Sequence, residues 1–341
     1  MKILILKPSS LGDVIQAMPV LRLLKLHFPQ SEIFWWIESG LAPLLERDPD
    51  LAGVIHFNRR RWAEPRNWAR LWRDILWARS KNFDWVIDLQ CLARSALFGW
   101  LANGKLTIGL DEPREGARGF YDISVPRLSW DTHAVDWYLA VLARLNVPVH
   151  WNFEWIPPNA EAAASVRRRW PVEGSRWVLL QPGARWLNKR WPVDSFAELV
   201  GRLSERHKGA RFAILGGPED RPLGTAITQA APQHCLDLTG QLSLPEMLEW
   251  IRLCELVVTN DTGPMHAAAA LRKPIVALFG PTEPRRTGPY GQLENVLQMN
   301  LPCVPCLSPR CRNPQPLECL RELRTALVVQ RVEKHLAAHK E

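Results

Sequence analysis

The chain has 341 residues, 47% of them apolar and 23% charged, a mixture that excludes disordered and fibrous proteins. At roughly 100–200 residues per domain this length suits two domains, and its apolar runs break well short of the ~18–20 residues that span a bilayer. A net charge of +8 asks for an anionic partner, which leaves open a phosphorylated small molecule, an acidic membrane surface or nucleic acid. Between Arg59 and Lys81 eight basic residues stand against Glu64 and Asp74, a net +6 in 23 residues.

In chain order, residues 3–6 form a short apolar run, residues 14–27 read as a helix, and residues 33–37 as a second strand. The periodic stretch 68–79 predicts a helix and 85–89 a strand. Such alternation predicts parallel βα units. The start of the chain reads as that first strand and not as an export signal, so a cytoplasmic protein is expected, and the odd number of cysteines argues against a disulfide framework. Trp155-Ile-Pro-Pro-Asn interrupts the pattern and places a domain boundary between residues 157 and 158. Beyond it a helix from Ala160 stops before Pro171. Strands follow at 177–181, 212–215, 256–260 and 275–279, with a helix from about Ser195 to Arg206. Ser195/Glu198 and Ser243/Glu246 both have capping-box spacing. The fold class is therefore α/β, with two doubly wound, Rossmann-like parallel-sheet domains and the cleft between them as the expected site.

Open α/β sheets bind ligands beyond the carboxyl ends of their strands, so four loops carry the chemistry. The first, Lys7-Pro-Ser-Ser-Leu-Gly-Asp13, offers a carboxylate at a helix start that serves either as a general base or as a helix cap. In the second, Gln181 to Pro192, Lys189 follows a glycine turn and is placed to neutralise a phosphate, although cations at loop ends are common. The third, Leu215-Gly-Gly-Pro-Glu219, is either a plain turn or a close approach in which Glu219 accepts hydrogen bonds from a ribose or base. The fourth, Thr259-Asn-Asp261-Thr262-Gly263-Pro-Met-His266, joins a strand to an alanine-rich helix whose N-terminus is a ready anion site. His266 there is a ligand contact or a core histidine.

Together, residues 7–14, Lys-Arg-Trp-Pro at 189–192, Asp-Thr-Gly-Pro-Met-His at 261–266 and Phe-Gly-Pro-Thr-Glu-Pro at 279–284 resemble glycosyltransferase family 9. The resemblance runs over nearly the whole chain, including Arg59-Arg-Arg-Trp, residues 84–90, Arg94-Ser-Ala and Phe120-Tyr121. It implies a GT-B fold, with an acceptor-binding domain at 1–157. A nucleotide-sugar-binding domain at 158–341 would carry a cysteine-rich loop at 303–319 and a C-terminal helix. It also implies metal-independent, inverting transfer of L-glycero-D-manno-heptose from ADP-heptose to the Kdo of the lipopolysaccharide inner core, or to another acceptor such as an inner-core heptose or a protein. By the resemblance Asp13 deprotonates the acceptor hydroxyl and Lys189 stabilises the departing ADP. Thr262 and Gly263 bind its phosphates, with His266 near them, Asp261 contacts the heptose and Glu219 the adenosine end. Gly12, Gly183 and Arg185 fall on the same nucleotide-sugar side. The acceptor, Kdo-lipid A, falls to Ser10, Arg59, Arg60, Arg61, Gln90, Arg94 and Arg114.

Two departures stand out: Ala184-Arg185 replaces a pair of threonines expected before the lysine, and Cys91 replaces an expected glycine. The tryptophans interleaved with the basic segment, Trp62, Trp68, Trp72 and Trp77, suggest contact with the anionic inner membrane from its cytoplasmic face. The alternative is an amphipathic helix packing them inward. Cys303-x2-Cys306-x4-Cys311-x7-Cys319 could hold a structural zinc or iron, or be free thiols or a disulfide. From a different class, the basic segment admits a nucleic-acid-binding module, but no recognition helix, zinc finger or RRM signature accompanies it, so no nucleic acid is expected. A dehydrogenase fits less well, because the Gly12 loop lacks Gly-x-Gly-x-x-Gly.

Overall fold

The computed structural model describes residues 1–58, 68–112 and 114–338, and within them the chain divides into two compact units, Met1–Pro157 and Pro158–Glu341. The first is a six-stranded, all-parallel sheet in the order β3-β2-β1-β4-β5-β6. Its strands are β1 (Lys2–Leu6), β2 (Glu32–Glu38), β3 (Gly53–Phe57), β4 (Trp85–Asp88), β5 (Leu106–Leu110) and β6 (Ile123–Val125). Ile3 to Leu6 are wholly buried, as an unbroken apolar run must be when helices cover both faces of a parallel sheet. The helices are α1 (Leu11–His27), α2 (Trp68–Ser80), α3 (Ala93–Ala102) and α4 (Ala134–Arg144). In the core Trp36 stacks on Phe98, centroids 4.8 Å apart, and lies 4.5 Å from Phe57.

A buried ion pair ties α1 to the loop before β3. Arg22 Nη1 donates to Asp48 Oδ1 at 2.6 Å and to Asp50 at 2.6 Å, Nη2 reaches Asp48 as well, and Nε donates to the Trp155 carbonyl at 3.0 Å. Asp48 is the buried partner, with a side chain 1% exposed against 27% for Asp50. Asp48→Ala, which leaves the buried guanidinium only the half-exposed Asp50 as a counter-charge, is expected to cost about 3 kcal/mol. Asp50→Ala should cost about 1 kcal/mol or less. Equal urea midpoints for the two variants would contradict this account.

The second unit repeats the topology with β12-β11-β10-β7-β8-β9, again all parallel. Its strands are β7 (Arg176–Gln181), β8 (Ala210–Ile214), β9 (Cys235–Asp237), β10 (Leu256–Asn260), β11 (Ile275–Phe279) and β12 (Val296–Gln298). Around them run α5 (Ala160–Arg169), α6 (Val193–Arg206), α7 (Arg221–Ala230), α8 (Leu244–Leu253), α9 (Gly263–Ala270), α10 (Pro284–Thr287), α11 (Glu318–Arg321) and α12 (Thr325–Ala338). The terminal helix α12 enters the core through Val328, Val329, Val332 and Leu336, beside Phe196, Leu199 and Leu203 of α6.

Of the two expected capping boxes, one forms: Ser243 accepts from the Glu246 amide, and its own amide and hydroxyl donate to Glu246 Oε2, both at 2.9 Å. The other is corrected. Helix α6 begins at Val193, because the Ser195 and Phe196 amides already find the Pro192 carbonyl, at 3.1 and 3.2 Å. Glu198 instead receives the Thr325 hydroxyl and pairs with Arg202. Numbered from its first strand, each sheet has the order 3-2-1-4-5-6, so each reverses direction between its first and fourth strands. Ligands bind at such reversals.

Candidate functional site

In the first unit the reversal lies between β1 and β4. After β1 the chain turns through Lys7-Pro-Ser-Ser into α1, whose N-cap is Ser10, with buried Gly12 as its second residue and Asp13 as its third. Asp13 Oδ2 accepts the Ser10 amide at 2.9 Å and the Ser10 hydroxyl at 2.6 Å, so Asp13 does brace the helix start. Its other oxygen, Oδ1, lies 3.4 Å from the hydroxyl of Tyr138 on α4, a helix packed against α1. Lys7, 4% exposed, donates to the Leu89 carbonyl at 2.8 Å and sits 4.7 Å from the Tyr138 ring centroid. Burial pulls the Lys7 ammonium down, but Tyr138, Asp13 and Cys91 more than offset it and hold the group above the ordinary lysine range. Burial pushes the Tyr138 phenol up to about 12.

At the end of β4, Asp88 is wholly buried. It accepts from the Gln90 amide at 2.8 Å, the Cys91 amide at 3.1 Å and the Tyr121 hydroxyl at 2.8 Å, and burial raises its carboxyl. Gln90 Oε1 is buried with no hydrogen-bond partner among the described residues. Cys91 has a φ of 57°, a left-handed conformation that glycine adopts at less cost. Arg94, half-buried on α3, has its guanidinium 5.7 Å from the Phe57 ring centroid. Arg59, Arg60 and Arg61 lie outside the described residues, as does the side chain of Arg114.

The alternative in which α2 packs its tryptophans inward fails at Trp72. Ile75 and Ala78 make the buried face, whereas Trp72 and Leu76 are 56% and 61% exposed and Trp77 only partly covers Phe34. Leu97 and Trp100 on α3 are exposed too. No helix among the described residues is long and apolar enough to cross a membrane.

In the second unit the reversal lies between β7 and β10. Asn260, wholly buried at the end of β10, accepts the Trp191 amide at 3.0 Å and donates to the Pro182 carbonyl at 2.7 Å, fastening the loop after β7. In that loop a single turn, Leu187–Lys189, delivers Lys189 to Asp261, Nζ to Oδ2 2.6 Å, over the Trp186 ring. Thr282, beyond β11, donates to the same oxygen at 2.6 Å. Thr262 caps α9, Gly263 opens it and His266 is buried in its first turns.

Gly183 is required by its neighbour: a Cβ there would collide with the buried carboxylate of Asp220, which accepts the Gly217 amide at 3.2 Å and lies 3.5 Å from Arg190. Glu219 is exposed in the turn Pro218–Asp220 after β8, and Arg185 is exposed in the β7 loop. The structure thus joins Lys189 to Asp261 and places Thr262, Gly263 and Gly183 on adjoining loops. Asn260, Thr282, Asp220 and Trp186 belong to the same cluster but were given no role from the sequence, although Asn260, Trp186 and Asp220 lie in or beside the loops after β10, β7 and β8 and Thr282 in the motif at 279–284.

Cys303, Cys306, Cys311 and Cys319 line one cavity of about 640 Å³. They do not close on a common point. Cys303 accepts from Asn313 at 3.5 Å, Cys311 from the Leu317 amide at 3.4 Å, and no group of three or more His, Cys, Asp or Glu among the described residues is arranged to hold a metal ion. A zinc or iron site therefore gains no support from this arrangement. All seven cysteines are free, so the disulfide alternative does not form either.

Residues 68–316 match the family model described as Glycosyltransferase family 9 (heptosyltransferase). Lipopolysaccharide heptosyltransferase 1 of Pseudomonas aeruginosa is 33% identical over 95% of this chain and 90% of its own. Among solved structures, Escherichia coli heptosyltransferase WaaC with ADP-2-deoxy-2-fluoro heptose is 25% identical, with a TM-score of 0.76 over 98% of this chain and 99% of the other. The E. coli ADP-heptose lps heptosyltransferase II shares the fold at a TM-score of 0.79 over the full length of both chains, with 24% identity.

Proposed function

This chain belongs to glycosyltransferase family 9, and on that premise we propose that it transfers a heptose from ADP-heptose to the Kdo of the lipopolysaccharide inner core, with inversion at the anomeric carbon. It is a glycosyltransferase with the GT-B fold. The observation that carries the finer reading is the pairing of opposite chemistries at equivalent points of the two sheets. A carboxylate, Asp13, stands at the reversal of one, and a lysine, Lys189, with the N-terminus of α9, at the reversal of the other.

In this reading the first unit, 1–157, takes the acceptor and the second, 158–341, the nucleotide sugar. Asp13 removes the proton of the acceptor hydroxyl as its oxygen bonds to the anomeric carbon, while the bond from that carbon to the diphosphate breaks and ADP leaves. Charge gathers on the leaving diphosphate. Lys189, now held by Asp261, exchanges that partner for it, and the amides around Thr262 and Gly263 add fixed dipoles at the start of a helix. Glu219, beyond β8, serves the adenosine end, and Asp261, released from Lys189, serves the sugar. Gly12, Gly183 and Arg185 are donor-side contacts, with His266 near the phosphates. Ser10, Gln90, Arg94, Arg114 and the Arg59–Arg61 run serve the anionic acceptor. The reaction asks nothing of the four clustered cysteines. The ADP-heptose analogue bound by the E. coli relative supports the donor, and the activity in the name of the P. aeruginosa relative supports the pathway.

The test is ADP release from ADP-L-glycero-D-manno-heptose, with and without Kdo-lipid A, with mass spectrometry of the lipid. Acceptor-dependent release and one added heptose are expected. Donor binding without release on this acceptor would move the proposal to an inner-core heptose or a protein as acceptor. Salt-sensitive DNA binding with no donor turnover would abandon it.

A lipid-linked acceptor calls for work at a surface, and the outward Trp72, Leu76, Leu97 and Trp100, with exposed Arg73, Arg79 and Lys105 on and after the same helices, suit peripheral attachment to the cytoplasmic face of the inner membrane. Trp72→Ser with Leu76→Ser is expected to lower cosedimentation with phosphatidylglycerol vesicles several-fold. Retention equal to the parent would remove this face from the reading.

A further inference from the structure

We propose that Asn188 is a positioning residue for Lys189, and that the cysteine-rich loop, 303–319, serves the reaction through its backbone, as the seat on which the donor loop is set. The inference rests on the reading of Lys189 at the leaving diphosphate. Lys189 stands on the single turn Leu187–Lys189, which is closed by the Lys189 amide on the Trp186 carbonyl at 3.0 Å and the Arg190 amide on the Leu187 carbonyl at 3.2 Å. A turn this short has no cooperative stability of its own, so its place is set by what its side chains grip. Of its three residues, Leu187 is 71% exposed and Lys189 reaches out to Asp261. Asn188 is the one that turns inward: it is 5% exposed, and its Nδ2 donates to the Ser308 carbonyl at 2.8 Å, across 120 residues of chain.

The preceding residue of the cysteine-rich loop holds the other side of the site. The Leu307 amide donates to the Pro281 carbonyl at 2.8 Å, and Pro281 leads into Thr282, whose hydroxyl shares Asp261 Oδ2 with Lys189. Leu307 and Ser308, side by side in the chain, thus fasten both loops that meet at Asp261, the one bearing Lys189 and the one bearing Thr282. The amide of Asn188 is a poor choice for stability alone. Its Oδ1 is buried without a hydrogen-bond partner among the described residues, a cost that an apolar side chain of the same shape escapes. Asn188 and Ser308 also line the cavity of about 640 Å³ that the four cysteines share, so open space instead of close packing adjoins the bond. A local rule broken beside a reacting group is the mark of a functional position. With the bond cut, the turn keeps its own hydrogen bonds but loses its registration on the loop, and the Lys189 ammonium is aimed less well. Misplacing a group at the reacting centre by about 1 Å costs up to about 10²-fold in rate.

The experiment is a double-variant cycle of the parent, Asn188→Leu, Lys189→Ala and the two combined. It reads ADP affinity by calorimetry and kcat/KM for ADP-L-glycero-D-manno-heptose with Kdo-lipid A. Leucine keeps the branching of asparagine and removes the donor. In the parent background Asn188→Leu is expected to lower kcat/KM about tenfold and ADP affinity several-fold, with the thermal midpoint near the parent's. Where Lys189 is already alanine the same substitution should change neither quantity, because a residue that acts through the lysine then has nothing to act on. Equal losses in the two backgrounds would mean that Asn188 only supports packing, and would overturn the inference. Undiminished kcat/KM and ADP affinity in Asn188→Leu would overturn it as well. Should Asn188→Leu not fold, Asn188→Ala removes the same donor and enters the same cycle. Parental turnover and ADP affinity in Lys189→Ala would instead overturn the reading of that lysine, a result distinct from either.

Discussion

Asp13→Ala is expected to lower turnover by about 10²–10⁴-fold while ADP-heptose still binds, since in the proposed reading the carboxylate acts on the acceptor and the donor is held elsewhere. At 1.36 kcal/mol per tenfold this is a barrier increase of roughly 3–5 kcal/mol. The substitution also removes the acceptor of the Ser10 amide and hydroxyl, so a stability loss of about 0.5–2 kcal/mol should accompany it. The two effects separate cleanly: donor affinity by calorimetry and secondary structure by circular dichroism stay near parental values, and only turnover collapses. Near-parental turnover would take Asp13 out of the mechanism.

Lys189→Ala is expected to weaken both ADP affinity and turnover, the latter by about 10²–10³-fold, the scale of losing one pre-placed group at developing charge. It carries a structural side effect too. Asp261, its side chain 5% exposed, would keep the Thr282 hydroxyl but lose its cation, and a buried carboxylate stripped of its partner destabilises. The double variant Lys189→Ala with Asp261→Asn should recover stability without recovering turnover, which separates the electrostatic role from the folding one. Unchanged ADP affinity in the single variant would show that the loop points away from the diphosphate.

Much of this fold was legible in the chain because central parallel strands are unbroken apolar runs: residues 3–6, 256–260 and 275–279 each lie within an observed strand. The three-residue strands β6, β9 and β12 and the longer β3 and β5 were not. All but β5 are edge strands with half-buried patterns that carry no period, whereas β5 is buried and next to an edge. The start of α6 was misplaced because Ser195 and Glu198 have capping-box spacing, while the proline carbonyl at 192 captures the first amides. The direction of the tryptophans on α2 was illegible for a related reason: Trp72 and Ile75 are both apolar, and only packing decides which one faces in.

The site divides the same way. Asp13, Lys189 and Asp261 were identified from motifs, but their partners were not. The contact of Lys189 with Asp261 spans 72 residues and exists because β7 and β10 are neighbours in the sheet. Tyr138 stands 125 residues from Asp13 on a helix whose apolar pattern is ordinary. Sheet order, which brings such groups together, is not written in any local stretch.

Each unit completes its sheet and core from one uninterrupted segment, and even the last helix, α12, stays within the half it ends. If, as proposed, the first unit takes the acceptor and the second the activated sugar, the two recognitions are separately heritable, and a single crossover at Pro157–Pro158 would exchange all of one and none of the other.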